Sequence, residues 1–146
     1  MSGRVDFKQL QELQQRLENA QQQIPATMED IAKEIANEFL QKVIQRTPAS
    51  NTNRLKNSWK CDFNVVKQGN NYVVTIKNED EIASMIEYGH RTEKNGWKSG
   101  HFMMTITESE MRTKADIIAQ RKVDELLRGV FKWRLNCIIP VVETMS

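Results

Sequence analysis

Two histidines, His90 and His101, and two cysteines, Cys61 and Cys137, are the residue types from which a zinc site is built. Such a site needs about four thiolate, imidazole or carboxylate ligands brought to one point. No Cys-x-x-Cys or His-x-x-x-His spacing is present. The expectation is two surface histidines in a polar loop, with no metal and no cofactor. Glu79, Asp80, Glu81 and Glu87 form the acidic cluster nearest those histidines. Paired carboxylates do acid/base chemistry, but carboxylates clustered on a turn are usually solvated. There is no nucleophile elbow, and Gly96-Trp97-Lys98-Ser99-Gly100 lacks the helix that directly follows a phosphate loop. The chain is expected not to be an enzyme; a hydrolase using Glu87 and His90 ranks last.

Arg46, Arg54, Lys56, Arg91, Lys94 and Lys98 make a loose basic set, with Trp59 and Trp97 nearby in sequence. Cations interleaved with aromatics grip nucleic-acid backbones. Acidic residues are interleaved too, and 21 basic against 19 acidic residues leave a net charge of only +2. A mixed-charge surface is favoured, and a small nucleic-acid-binding module is the alternative.

Whatever these residues do, they must be positioned by a chain of 146 residues, 39% hydrophobic and 27% charged, the composition of a globular protein. It suits one domain over residues 1–134, with a short tail at 135–146. No apolar run reaches the roughly 18 residues of a membrane span, and the N-terminus lacks a secretory pattern. The unpatterned cysteines read as buried thiols of a reducing cytoplasm.

Phe7, Leu10, Leu13, Leu17 and Ile24 make a thin apolar stripe on a glutamine-rich helix, docked on its own domain or on a neighbouring subunit. Pro25 is expected to break that helix, with Thr27 and Asp30 capping the next. Met28, Ile31, Ile35, Phe39 and Val43 give this second helix a core face, ended by Pro48. Period-two alternation at Trp59, Cys61, Phe63 and Val65 and at Tyr72, Val74 and Ile76 predicts a hairpin with a return of about five residues. Residues 81–88 read as a short helix ending at Gly89, followed by a polar loop to Gly100. Phe102 to Ile106 reads as a third strand. Thr107 and Glu110 read as the capping box of a last helix that reaches about Lys132. The tail from Leu135 adds an edge strand or docks on another chain. The fold class is α+β: a small antiparallel sheet packed against helices, in the order α-α-β-β-(short α)-loop-β-α.

Three stretches are less generic. Arg46-Thr47-Pro48-Ala49-Ser50-Asn51-Thr52-Asn53-Arg54-Leu55-Lys56-Asn57-Ser58-Trp59 resembles the R-T-P-x-x-T-G-x-L-x-x-S-W stretch of the neck and tail-completion family of tailed bacteriophages. Ile82 to Arg91 is similar to that family's Y-A-x-x-V-E-F-G-H-R, and Trp97 to Met104 to its G-R-F-M-L segment. Asn53 stands where the family has glycine, and asparagine tolerates the same left-handed backbone. Ile82 stands for the usual tyrosine.

The resemblance implies a virion structural protein, assembled in the bacterial cytoplasm. It would form a ring, typically of six copies, that caps the tail or joins it to the neck or connector. The implied partners are its own copies and adjacent tube, sheath or connector proteins, with DNA passing through the ring and no membrane. Arg54, Trp59, Glu87, Tyr88, Gly89, His90, Arg91, Lys94, Trp97, Lys98, His101 and Phe102 are the candidate interface residues, combining charge, aromatic surface and a turn. Loop 89–100 is expected to order on a partner. Glu87→Ala and Trp97→Ala are accordingly expected to impair assembly more than folding.

Overall fold

The computed structural model describes the backbone of residues 7–145 and the side chains of residue 8 and residues 10–131. Two long helices, α1 (Phe7–Arg46) and α4 (Met103–Met145), carry small elements between them. These are α2 (Arg54–Asn57), β1 (Trp59–Cys61), β2 (Val66–Gln68), β3 (Asn71–Val73), β4 (Ile76–Asn78), α3 (Ala83–Tyr88), β5 (Gly89–Arg91) and β6 (Trp97–Ser99). The class is α+β, with antiparallel two-stranded sheets β1–β4, β2–β3 and β5–β6. The chain divides into two compact units: Met1–Met28 with Ala119–Ser146, and Glu29–Ile118.

Within Glu29–Ile118 the core is Val43, Leu55, Trp59 and Met103, with Phe39, Leu40, Ile44, Ile76, Ala83, Ile86 and Met104 packed around it. Two threonines join polar atoms inside it. The Thr47 hydroxyl donates to the Val43 carbonyl (2.7 Å) and accepts the Trp59 indole N–H (2.8 Å). The Thr107 hydroxyl donates to the Met103 carbonyl (2.6 Å) and accepts from the Arg46 guanidinium (2.9 Å). Both buried hydroxyls thus find partners, as their desolvation demands. An antiparallel ladder of charges joins α1 to α4: Glu38 with Lys114, Lys42 with Glu110, and Arg46 with Glu110. Lys42 and then Arg46, both hydrogen-bonded to the Glu110 carboxylate, hold its pKa down to about 2.

Within the other unit, Leu13, Arg16, Ala20 and Thr27 of α1 are half-buried, as are Ala119, Lys122 and Leu126 of α4, and Val130 is covered. Arg16, Asn19, Ala20 and Gln23 share a shallow hollow of about 400 Å³ with Leu126, Gly129 and Val130.

Several expectations are corrected. Pro25 lies inside α1 and does not end it, so no new helix is capped by Thr27 and Asp30. Proline removes one backbone donor, but the amphipathic faces on either side keep the helix going. The hairpin return is two residues, not five: Gly69, with φ +61, and Asn70 connect β2 to β3, as a type II′ turn requires. Residues 62–65 oppose only 74–75 between the two ladders, and Phe63 has φ +53, so the expected continuous strand is interrupted by a bulge. The alternation holds for Cys61, Phe63 and Val65, half-buried between exposed Asp62 and Asn64, but on the return strand Val73 is half-buried together with Tyr72 and Val74.

The expected strand at 102–106 is the first turn of α4, and Thr107 is one of its interior residues, not its cap. Loop 89–100 is ordered within the chain by the β5–β6 ladder. The helical backbone of α4 runs to Met145, well past Lys132. The docking of the tail side chains, and the environment of Cys137, lie outside the described residues. Cys61 is a half-buried free thiol.

Candidate functional site

The candidate residues fall into two groups, one consumed by the fold and one left open. Asn53 takes the left-handed conformation (φ 50, ψ 23) that the turn before α2 needs, so asparagine does serve there. The turn delivers Arg54, whose guanidinium grips Asp80 with two bonds, Nε to Oδ2 at 2.7 Å and Nη2 to Oδ1 at 3.0 Å. That hydrogen bond, with the Ile82 N–H, holds the Asp80 carboxyl below its ordinary range. Asn78 adds a bond to the Leu55 carbonyl (2.9 Å), closing the base of the first hairpin on α2. Arg54 is therefore a clamp within the subunit. Trp59 is a core residue, its indole spent on Thr47.

Glu87 is the sharpest departure from expectation. It is 6% exposed, and its carboxylate faces the start of α4. Oε2 accepts the Met104 N–H (2.9 Å), while Oε1 accepts the Thr105 N–H (2.9 Å) and hydroxyl (2.7 Å). Phe102, just before the helix, has φ +49 and no side-chain oxygen with which to cap. A carboxylate from α3 supplies the missing acceptor and favourable charge at the helix N-terminus. The expectation that Glu87→Ala impairs assembly more than folding took Glu87 for an exposed contact; it is an internal cap, so the substitution acts on folding directly.

The same region is stitched by backbone bonds from the His101 N–H to the Ile86 carbonyl (2.7 Å) and from the Phe102 N–H to the Glu87 carbonyl (3.1 Å). Gly89 has φ +87, and a Cβ there would sit 2.5 Å from the Lys98 carbonyl oxygen and 3.1 Å from the Trp97 ring. Glycine is needed for both reasons.

The open group rides on this clamped base. Tyr88 is 65% and Trp97 67% exposed, and Phe102 is also exposed. Arg91 pairs across the ladder with Trp97, and His90 with Lys98. Thr92 and Gly96 close the turn that carries Lys94, through the Thr92 N–H to Gly96 carbonyl bond (2.9 Å). Arg91, Lys94, Lys98 and His101 are exposed, and none takes part in an ion pair among the described residues. Arg46 and Arg54, by contrast, leave the basic set because carboxylates neutralise them. His90 is half-buried, and its Nδ1 is a buried atom without a hydrogen-bond partner.

Sequence reasoning missed Asp80, Thr47 and Glu110 as partners, because each pair is distant along the chain. The charge of Arg54 and the hydroxyl of Thr47 were visible, but nothing local named what they meet. Among the described residues no group of three or more His, Cys, Asp or Glu side chains is gathered for a metal ion. No described helix is long and apolar enough to cross a membrane.

No curated protein and no solved structure matches the chain. A family model described as "Bacteriophage HK97-gp10, putative tail-component" matches residues 11–89, just over half of the sequence. The matched span runs through α1, the Arg54 clamp, the Trp59 core and the Glu87 cap, ending at Gly89, the first residue of the β5–β6 hairpin. On that match, the chain belongs to the HK97-gp10-like family of bacteriophage tail components.

Proposed function

We propose that this tail component is a ring subunit at the head-proximal end of the particle. There it completes the tail and joins it to the neck or connector. The observation that carries the reading is the surface at the β5–β6 hairpin: exposed Trp97 and the adjoining Tyr88 of α3, with Arg91, Lys94 and Lys98, none of which takes part in an ion pair among the described residues. Aromatics and arginine on a rigid base are the composition of a binding hot spot, and rigidity spares the ordering entropy of binding. The hairpin engages a neighbouring copy or an adjacent tube, sheath or connector protein. A head-to-tail contact of this kind closes into a ring, with six copies the expected number. Assembly takes place in the host cytoplasm, and the role is structural, not catalytic.

Electron microscopy of particles made with the Trp97→Ala chain tests this. Tails lacking the terminal ring, from a subunit that still folds, are expected. Normal particle yield with intact rings would overturn the hairpin as the contact. The unpaired hairpin cations also favour a second reading, contact with nucleic-acid phosphates. Retention on DNA that falls steeply with salt would support that one.

A further inference from the structure

The helix pair of the first unit leaves a stripe uncovered on each helix. Leu10, Leu17 and Ile24 of α1 are 55%, 46% and 46% exposed, and Val123, Leu127 and Phe131 of α4 are 40%, 44% and 42% exposed. Leu10, Leu17 and Ile24 each precede a half-buried position (Leu13, Ala20, Thr27) by three residues, a rotation of about 60° from the covered stripe. Val123, Leu127 and Phe131 each follow a covered position (Lys122, Leu126, Val130) by one residue, about 100° in the same sense. Within this unit the two helices lie side by side along the hollow between residues 16–23 and 126–130; α1 leaves the unit at Met28 and α4 enters it at Ala119, so the two run antiparallel. In an antiparallel pair, rotations of the same sense from the seam bring both stripes to one side. The result is one apolar face, half of a four-helix bundle.

We propose that a second copy of this chain covers that face, pairing two subunits about a two-fold axis parallel to the helices. Such an axis sets α1 of one copy antiparallel to α4 of the other and keeps their heights. The shared hollow places Ala20 and Gln23 level with Leu126 to Val130, so Leu17 and Ile24 meet the stripe of Val123, Leu127 and Phe131.

The rims favour self-pairing. Gln14 and Gln21 bring no charge. Glu18 stands near the height of Arg128, and among the described residues neither takes part in an ion pair. In the pair, each Glu18 faces an Arg128 of the other copy. At 1.5 Å per residue, Leu10 to Met28 spans about 28 Å, and two helices are about 20 Å wide. Pairing then buries about 1,100 Å² in total, near the lower bound for a specific interface. The dimer is therefore concentration-dependent. This inference does not rest on the hairpin or the ring, which concern the other unit.

Sedimentation equilibrium of the full chain over about a hundredfold concentration range tests it. The mass is expected to rise to twice that of the subunit. Leu17→Gln and Leu127→Gln, at half-exposed positions where a polar side chain costs the monomer little, weaken association about tenfold or more with helix content unchanged. Arg128→Glu weakens it too, and Glu18→Arg combined with Arg128→Glu restores it. Trp97→Ala leaves it unchanged. A wild-type chain that stays monomeric throughout overturns the proposal. So does association that ignores Leu17, Leu127 and the charge swap, whether or not larger rings form.

Discussion

Glu87 and Trp97 lie ten positions apart and were expected to act together at an interface, yet their surroundings separate them. Glu87 is enclosed and satisfies two backbone donors and one hydroxyl of α4. Removing that carboxylate leaves those groups short of an acceptor in a low-dielectric site. Glu87→Ala is expected to lower stability by about 2–3 kcal/mol, read as a fall in the urea midpoint. Trp97 keeps two-thirds of its surface in water. Trp97→Ala is expected to change stability by no more than about 0.5 kcal/mol in the same titration, while impairing particle completion.

At the scale of elements, the α1–α4 ladder and the path of α1 make separate predictions. The Glu110 carboxyl, held to about 2 by Lys42 and Arg46, has a folded pKa below its unfolded value of about 4.3. A lowered folded pKa means its stabilisation is complete above the unfolded value and is lost as pH falls through the folded one. Acid unfolding is therefore expected to develop between about pH 4.3 and 2, and Glu110→Gln is expected to flatten that dependence. Glu79, held to about 2 by Lys60 and Lys77, acts in the same window, but its exposure lets solvent screen the effect. Pro25 interrupts the hydrogen bonding of an otherwise continuous α1. Pro25→Ala is expected to stabilise the helix by about 1–3 kcal/mol, measured as a raised melting temperature.

At the scale of the molecule, the two units carry different surfaces. Glu29–Ile118 holds the core, the clamp, the cap and the aromatic-basic hairpin; the helix pair holds the uncovered apolar face. Neither surface is needed to complete its own unit's described packing, which is what leaves each available to other chains. Substitutions are expected to separate accordingly. Hairpin variants change particles without changing dimers, and stripe variants change dimers in free solution.

Much of this was legible in the residues alone, because it depends on local physics. Periodicity placed the core face of α1 at Ile31 and Val43, the alternation from Trp59 to Val65, and the short helix ending at Gly89. Motif order named the family over the span that the family model matches. Asparagine's tolerance of positive φ explained Asn53 before its backbone was seen. Long-range partners were not legible. Whether Glu87 points outward or caps α4, whether Arg54 is free or gripped by Asp80, and whether Pro25 ends a helix depend on chain brought from elsewhere. Sequence spacing does not encode which distant acceptor will be nearest. Tertiary packing decides that, because a charge or donor removed from water takes the partner the fold supplies.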